Sequence, residues 1–208
     1  MKKILFLDTL TTGMNTERCA IYRLGGIYTE DGIEAVQLDL KVRPFVNARI
    51  NEQSLWIGGV DRSVVVHYPD QEQAFKTFID FLDSVVDVRN SNDKMYLAGF
   101  NAAAFDVPFL YEWFRRNGNE RFRDYFHMQT LDMMSVAAFG LIGRRRAMPD
   151  FKLESVAREL GIPVPNTQNC DCITNARVAL EIFRFLQQRF GIDEYTDDSF
   201  AEKFVRNF

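Results

Sequence analysis

Three short segments carry side chains that could do chemistry together. The first, Phe6-Leu7-Asp8-Thr9-Leu10-Thr11-Thr12-Gly13, sets Asp8 at the end of an apolar run. The second, Gly99-Phe100-Asn101-Ala102-Ala103-Ala104-Phe105-Asp106-Val107-Pro108-Phe109-Leu110, places Asp106 where a helix should begin. The third, Cys170-Asp171-Cys172-Ile173-Thr174-Asn175-Ala176, combines thiols, a carboxylate and a carboxamide. Hard divalent cations such as Mg²⁺ take carboxylate oxygens as ligands. A pair of such ions about 3.5–4 Å apart can stabilise the attacking and leaving oxygens of an in-line phosphodiester hydrolysis. Each aspartate also has a plainer role open to it, Asp8 as a strand-end cap and Asp106 as the N-cap of the following helix. The two histidines, His67 and His127, have no partners at zinc-ligand spacing.

The elements that must position these groups follow from periodicity. Residues 3–9 read as a central strand, and residues 19–29 and 34–43 as two more, joined by the turn residues Glu30-Asp31-Gly32 into an antiparallel meander. Between 70 and 87, Ala74, Phe75, Phe78, Ile79, Leu82 and Val85 recur at helical spacing. Met95–Phe100 reads as a buried strand, followed by a helix from about Val107 to Asn117 that ends at Gly118. Helices are expected at 129–139, 153–160, 171–190 and, after a polar stretch, 198–207. Strands first, then strands alternating with helices, predicts an α/β domain with a mixed sheet flanked by helices.

The three segments, in this order and at these separations, resemble the motifs of the DnaQ-like DEDDh 3′–5′ exonucleases. That family includes the proofreading subunit of bacterial DNA polymerase III and RNase T. The resemblance runs from about residue 3 to residue 187. It implies an RNase H-like mixed five-stranded sheet, with an exonuclease-like domain at 1–190 and a C-terminal helical tail at 191–208. It also implies a site of four carboxylates and a general-base histidine holding two Mg²⁺ or Mn²⁺ ions.

Mapped residue by residue, the resemblance keeps only half of those carboxylates. Asp8 and Asp106 match the first- and second-motif aspartates. Leu10 stands where the first motif has glutamate, Asn175 where the third has aspartate, and Cys170 where the third has histidine. Leucine cannot ligate a metal, and asparagine keeps a carbonyl oxygen without the charge. Cysteine, with a reference pKa near 8.5, could serve as a base only as a stabilised thiolate, which neighbouring carboxylates oppose. Asp171 has a non-catalytic place of its own beside the motif. Asp8 and Asp106 are therefore expected to hold one weak Mg²⁺ or Mn²⁺ at most. Thr9, Thr12, Asn101 and Phe105, all fitting the motifs, are the expected substrate-binding residues.

The resemblance thus implies a pseudoenzyme that binds nucleotides, single-stranded nucleic acid ends or a replication or repair protein. The alternative is an active metal-dependent 3′–5′ exonuclease with atypical ligands. The 208 residues, 47% hydrophobic and 26% charged, suit one sizeable core. A net charge of −4 argues against coating long duplexes but leaves room for a local groove. Three cysteines give no disulfide framework. Asp8 cuts the N-terminal apolar run too short for a signal peptide, and no transmembrane segment occurs, so a cytoplasmic protein with no membrane partner is expected.

Overall fold

The computed structural model describes residues 2–165 and 171–191. Strands β1 (Lys3–Thr11), β2 (Ile21–Glu30) and β3 (Ile33–Lys41) form the meander, and β2 and β3 turn over Asp31 and Gly32, both at positive φ. Helices α1 (Glu52–Ile57), α2 (Arg62–Val65) and α3 (Gln71–Val85) follow, then β4 (Met95–Gly99) and α4 (Asp106–Arg116). The chain continues through α5 (Phe122–Tyr125), β5 (Leu131–Asp132), α6 (Met133–Gly140), α7 (Leu153–Glu159) and α8 (Cys172–Arg189). The five-stranded sheet has the order β3-β2-β1-β4-β5; β1 is antiparallel to β2 and parallel to β4. This is the mixed sheet expected from the sequence.

The period of two along β1 sorts the molecule into layers. Leu5 and Leu7 enter one core with Phe75, Phe78 and Leu82 of α3 and Phe109, Trp113 and Phe114 of α4. Ile4 and Phe6 enter the opposite core with Ala137 of α6, Val156 of α7 and Ala176, Ala179 and Leu180 of α8. Continuing the alternation past the cores sends Asp8 and Leu10 toward α8, and Thr9 toward α4. The positions of the three motifs relative to one another follow from that parity.

Two differences from the expected elements have physical causes. The segment expected to be helical from 129 starts instead as β5, and the helix begins only at Met133. The side chain of Asp132 accepts the Met134 N–H and so sets the helix start. Helices α1 and α2 have six and four residues, too short to show an amphipathic period, and the sequence did not reveal them. The expected helix at 198–207 lies outside the described residues.

The N-terminus of α8 presses onto the sheet at Gly25. A Cβ at that position would lie 2.5 Å from the Cys172 Cβ and 2.6 Å from its carbonyl carbon. Only a residue without a side chain lets the helix sit this close. Gly25→Ala should lower stability by about 1–3 kcal/mol, the usual cost of overpacking, as read from the denaturant midpoint; an unchanged midpoint would show that α8 can move off the sheet freely.

Candidate active-site cleft

The cleft opens where β1 ends between α4 and α8. Thr9 faces α4, and both its backbone N–H and its hydroxyl donate to one oxygen of Asp106, at 2.8 and 2.7 Å. These two bonds tie the end of β1 to the first turn of α4 and bury both residues. Asp8 faces α8, where the side-chain amide of Asn175 donates to its Oδ2 at 3.3 Å and the Cys172 thiol also bonds it. Asp8, Asp106 and Asn175 are thus brought together. Cys170 lies outside the described residues.

Asp106 is held by a loop with its own anchor. Asp132 accepts the N–H groups of Asn101 and Ala103, at 3.1 and 3.0 Å, besides that of Met134 at 2.9 Å. Asn101 adopts a left-handed backbone with φ of 63°, a conformation that asparagine tolerates better than most residues. Its backbone therefore makes the turn that delivers Asp106. Phe105 immediately precedes α4, partly buried, with its ring centroid 5.1 Å from that of Phe109. Thr12 does not reach the cleft surface: it is fully buried, its hydroxyl donating to Arg49 O and accepting the Ala20 N–H. The role expected of it toward a substrate is replaced by one in holding the chain after β1 to residues 20 and 49.

Leu10 is part of a small core. It is 6% exposed and packs with Tyr22, Leu55, Val65 and Cys172, with Ile50, Val60 and Tyr68 at the margin. Helix α1 comes in so close that a Cβ on Gly58 would meet the Tyr22 hydroxyl at 2.1 Å and Leu10 Cδ1 at 2.8 Å. The position where the resemblance places a glutamate is therefore sealed by hydrocarbon. Asp171 is the N-cap of α8, its carboxylate taking the Thr174 N–H and hydroxyl at 2.9 Å each and pairing with Arg23 at 2.9 Å. Arg23 also grips Asp39 through two bonds, so the α8 cap is fixed to the outer strand pair.

A pair of divalent ions does not fit this donor set. Among the described residues no group of three or more His, Cys, Asp or Glu side chains converges. Leu10 offers no donor, Asn175 directs its NH₂ at Asp8, and one Asp106 oxygen already accepts two hydrogen bonds. Burial pushes Asp8 well above the usual carboxylate range, and the charge of Asp106 raises it further against the opposing bonds from Asn175 and Cys172. Burial likewise raises Asp106 to about 6, although the bonds from Thr9 favour its charged form.

The sheet and its flanking helices form an RNase H-like frame, and the cleft brings together the carboxylates of Asp8 and Asp106. Solved structures of exonuclease I share that frame. The E. coli enzyme in complex with a dT13 oligonucleotide is 16% identical with a TM-score of 0.71, over 92% of this chain and 42% of that one. Its zinc-bound complex with single-stranded DNA is 17% identical with a TM-score of 0.72, over 92% and 42%. Exonuclease I from Methylocaldum szegediense is 17% identical with a TM-score of 0.71, over 91% and 41%. The chain spans about two fifths of the length of these proteins. No family model and no curated protein sequence matches it.

The raised carboxylates give a pH dependence of known sign. Between about pH 4 and 6 the folded protein holds a proton on Asp106 that the unfolded chain has released, so this group's contribution to stability falls as pH rises through that window. At neutral pH its ionisation costs on the order of 3 kcal/mol. Asp106→Asn keeps an acceptor for Thr9 and removes the desolvated charge. It should raise stability by about 1–2 kcal/mol at pH 7.5, with the advantage shrinking toward pH 5 in denaturant titrations. A variant less stable than the wild type at pH 7.5 would mean that the charge itself is needed by the fold.

Proposed function

We propose that this chain is a non-catalytic exonuclease-fold protein that binds nucleotides or single-stranded nucleic acid ends in the former active-site cleft. The observation that carries this reading is Leu10, buried in an apolar cluster where hydrolysis would call for a metal-binding carboxylate. Asn175 supports it by supplying an amide to Asp8 where a second carboxylate would be needed. With these groups changed, the cleft has no means of holding the ion that would activate water, and the remaining aspartates satisfy each other's surroundings through Thr9, Asn175 and Cys172.

Binding is supported by the frame itself. Exonuclease I, which shares the fold, has been solved with dT13 and with a 5cy-dA13 oligonucleotide. We extend that single-strand binding to this chain. A groove that takes one strand end needs no strongly basic surface, in keeping with the net charge of −4. A replication or repair protein is the class of partner we propose for such a complex, and the cytoplasm its compartment; no helix among the described residues is long and apolar enough to cross a membrane.

The direct test uses 5′-labelled single-stranded DNA and RNA with free 3′ ends, with Mg²⁺ or Mn²⁺. The strands should stay full length while fluorescence anisotropy reports binding, and EDTA should leave that binding unchanged. Shortening that disappears in Asp8→Ala would establish an active exonuclease with atypical ligands instead. Intact strands with no anisotropy change would remove nucleic acid from the proposal.

A further inference from the structure

A separate cavity is bordered by Ala103 and Val107, which flank Asp106 in the chain, but by none of the cleft's polar groups. Its volume is about 250 Å³. That lies just under the ~300 Å³ at which pockets for drug-sized ligands begin, so it suits one flat ring system better than a large cofactor. Its aromatic wall comes from Tyr111 and Phe122, whose rings meet edge to face at 5.4 Å. His127 also lines it and lies stacked on Tyr96, with centroids 4.2 Å apart and planes 25° apart. Tyr111 and Met128 leave about half or more of their surface open to solvent, at 51% and 65%.

Charge narrows the choice of ligand. The arginines nearest in sequence are engaged, Arg121 with Asp124 and Arg115 with Glu112. Arg123 lines the cavity and has no carboxylate partner among the described residues. The ammonium group of Lys94 donates to the Arg123 carbonyl, bringing a second cation to the same place. Burial and the Lys94 charge hold the His127 imidazole below its usual pKa, which leaves it neutral and able both to donate and to accept near pH 7. An aromatic wall with a neutral hydrogen-bonding ring and two cations at the edge matches a planar base carrying a phosphate.

We propose that this cavity is a nucleotide subsite, taking a nucleobase against Tyr111 and Phe122 and its phosphate on Arg123 and Lys94. The nucleotide is either a free monophosphate or the terminal residue of a single strand. The inference rests on the reading that the chain binds nucleotides, and places one of them outside the cleft.

NMR on the full-length labelled protein separates the two sites, with the His127 ring reporting on the cavity and the Leu10 methyls on the cleft. AMP, UMP and a short oligothymidylate are each titrated to millimolar concentration. The His127 resonances should move, and Tyr111→Ala or Arg123→Gln should weaken the effect by roughly ten-fold, within the range expected for losing one base–aromatic stack. Both side chains are exposed, so neither change threatens the fold. Movement with the monophosphates identifies a free nucleotide, and movement with the oligonucleotide alone identifies a strand end; both uphold the subsite. A silent His127 overturns it, as does an equal shift in both variants. Leu10 moving while His127 is silent leaves the cleft reading standing without the subsite. His127 moving while Leu10 is silent does the reverse.

Discussion

Two carboxylates within reach of each other's charge, Asp106 buried and Asp8 half-buried, are the constraint around which the cleft is organised. Burial alone raises Asp8 and Asp106, and the charge of Asp106 adds to the cost of ionising Asp8. A metal ion is one answer to such a pair. Here the answer is hydrogen-bond donors: the N–H and hydroxyl of Thr9 on Asp106, and the amide of Asn175 with the thiol of Cys172 on Asp8. Each donor comes from an element that the sheet has already placed. Thr9 is fixed by the alternation along β1, and Asn175 and Cys172 by the seating of α8 on Gly25.

The hydrocarbon side of the cleft follows the same logic. Four close carboxylates without metal would repel one another, by about 4 kcal/mol per pair at 4 Å and an effective dielectric near 20. Leu10 removes one of those charges and becomes a contact for Tyr22, Leu55 and Val65. Short helix α1 is held over β1 by that contact and by the close approach of Gly58. Under the proposed reading, a leucine at this position both omits a ligand and supplies a packing contact.

Much of this was legible in the sequence, for reasons that can be named. The strands and long helices carry enough residues for their periods to show, and the sheet order agrees with the RNase H-like frame that the motifs implied. The placing of Asp8, Asp106 and Asn175 in one cleft was also readable, because each sits in a recognisable motif. The role of Asp132 was only half visible: its cap on α6 is local, but its hold on Asn101 and Ala103 crosses 31 and 29 residues. Thr12 fitted a motif, yet its burial depends on Ala20 and Arg49, which no local pattern connects to it. Helices α1 and α2 were missed because six and four residues are too few to show a period; their local signals are the N-caps Asn51 and Asp61, and Leu55 and Val65 pack them on Leu10 and Tyr22.

The central proposal is that hydrogen bonds and packing, in place of metal ions, hold the two aspartates in this cleft. Thermal unfolding with and without millimolar Mn²⁺ tests it most directly, since an ion that binds only the folded state must stabilise it. For a domain of this size each kcal/mol moves Tm by about 2–4 °C. The account predicts a Tm that is the same, within error, in Mn²⁺ and in EDTA. A rise of several degrees with Mn²⁺ that is lost in Asp8→Asn would show that the two aspartates still hold a metal, and would contradict it.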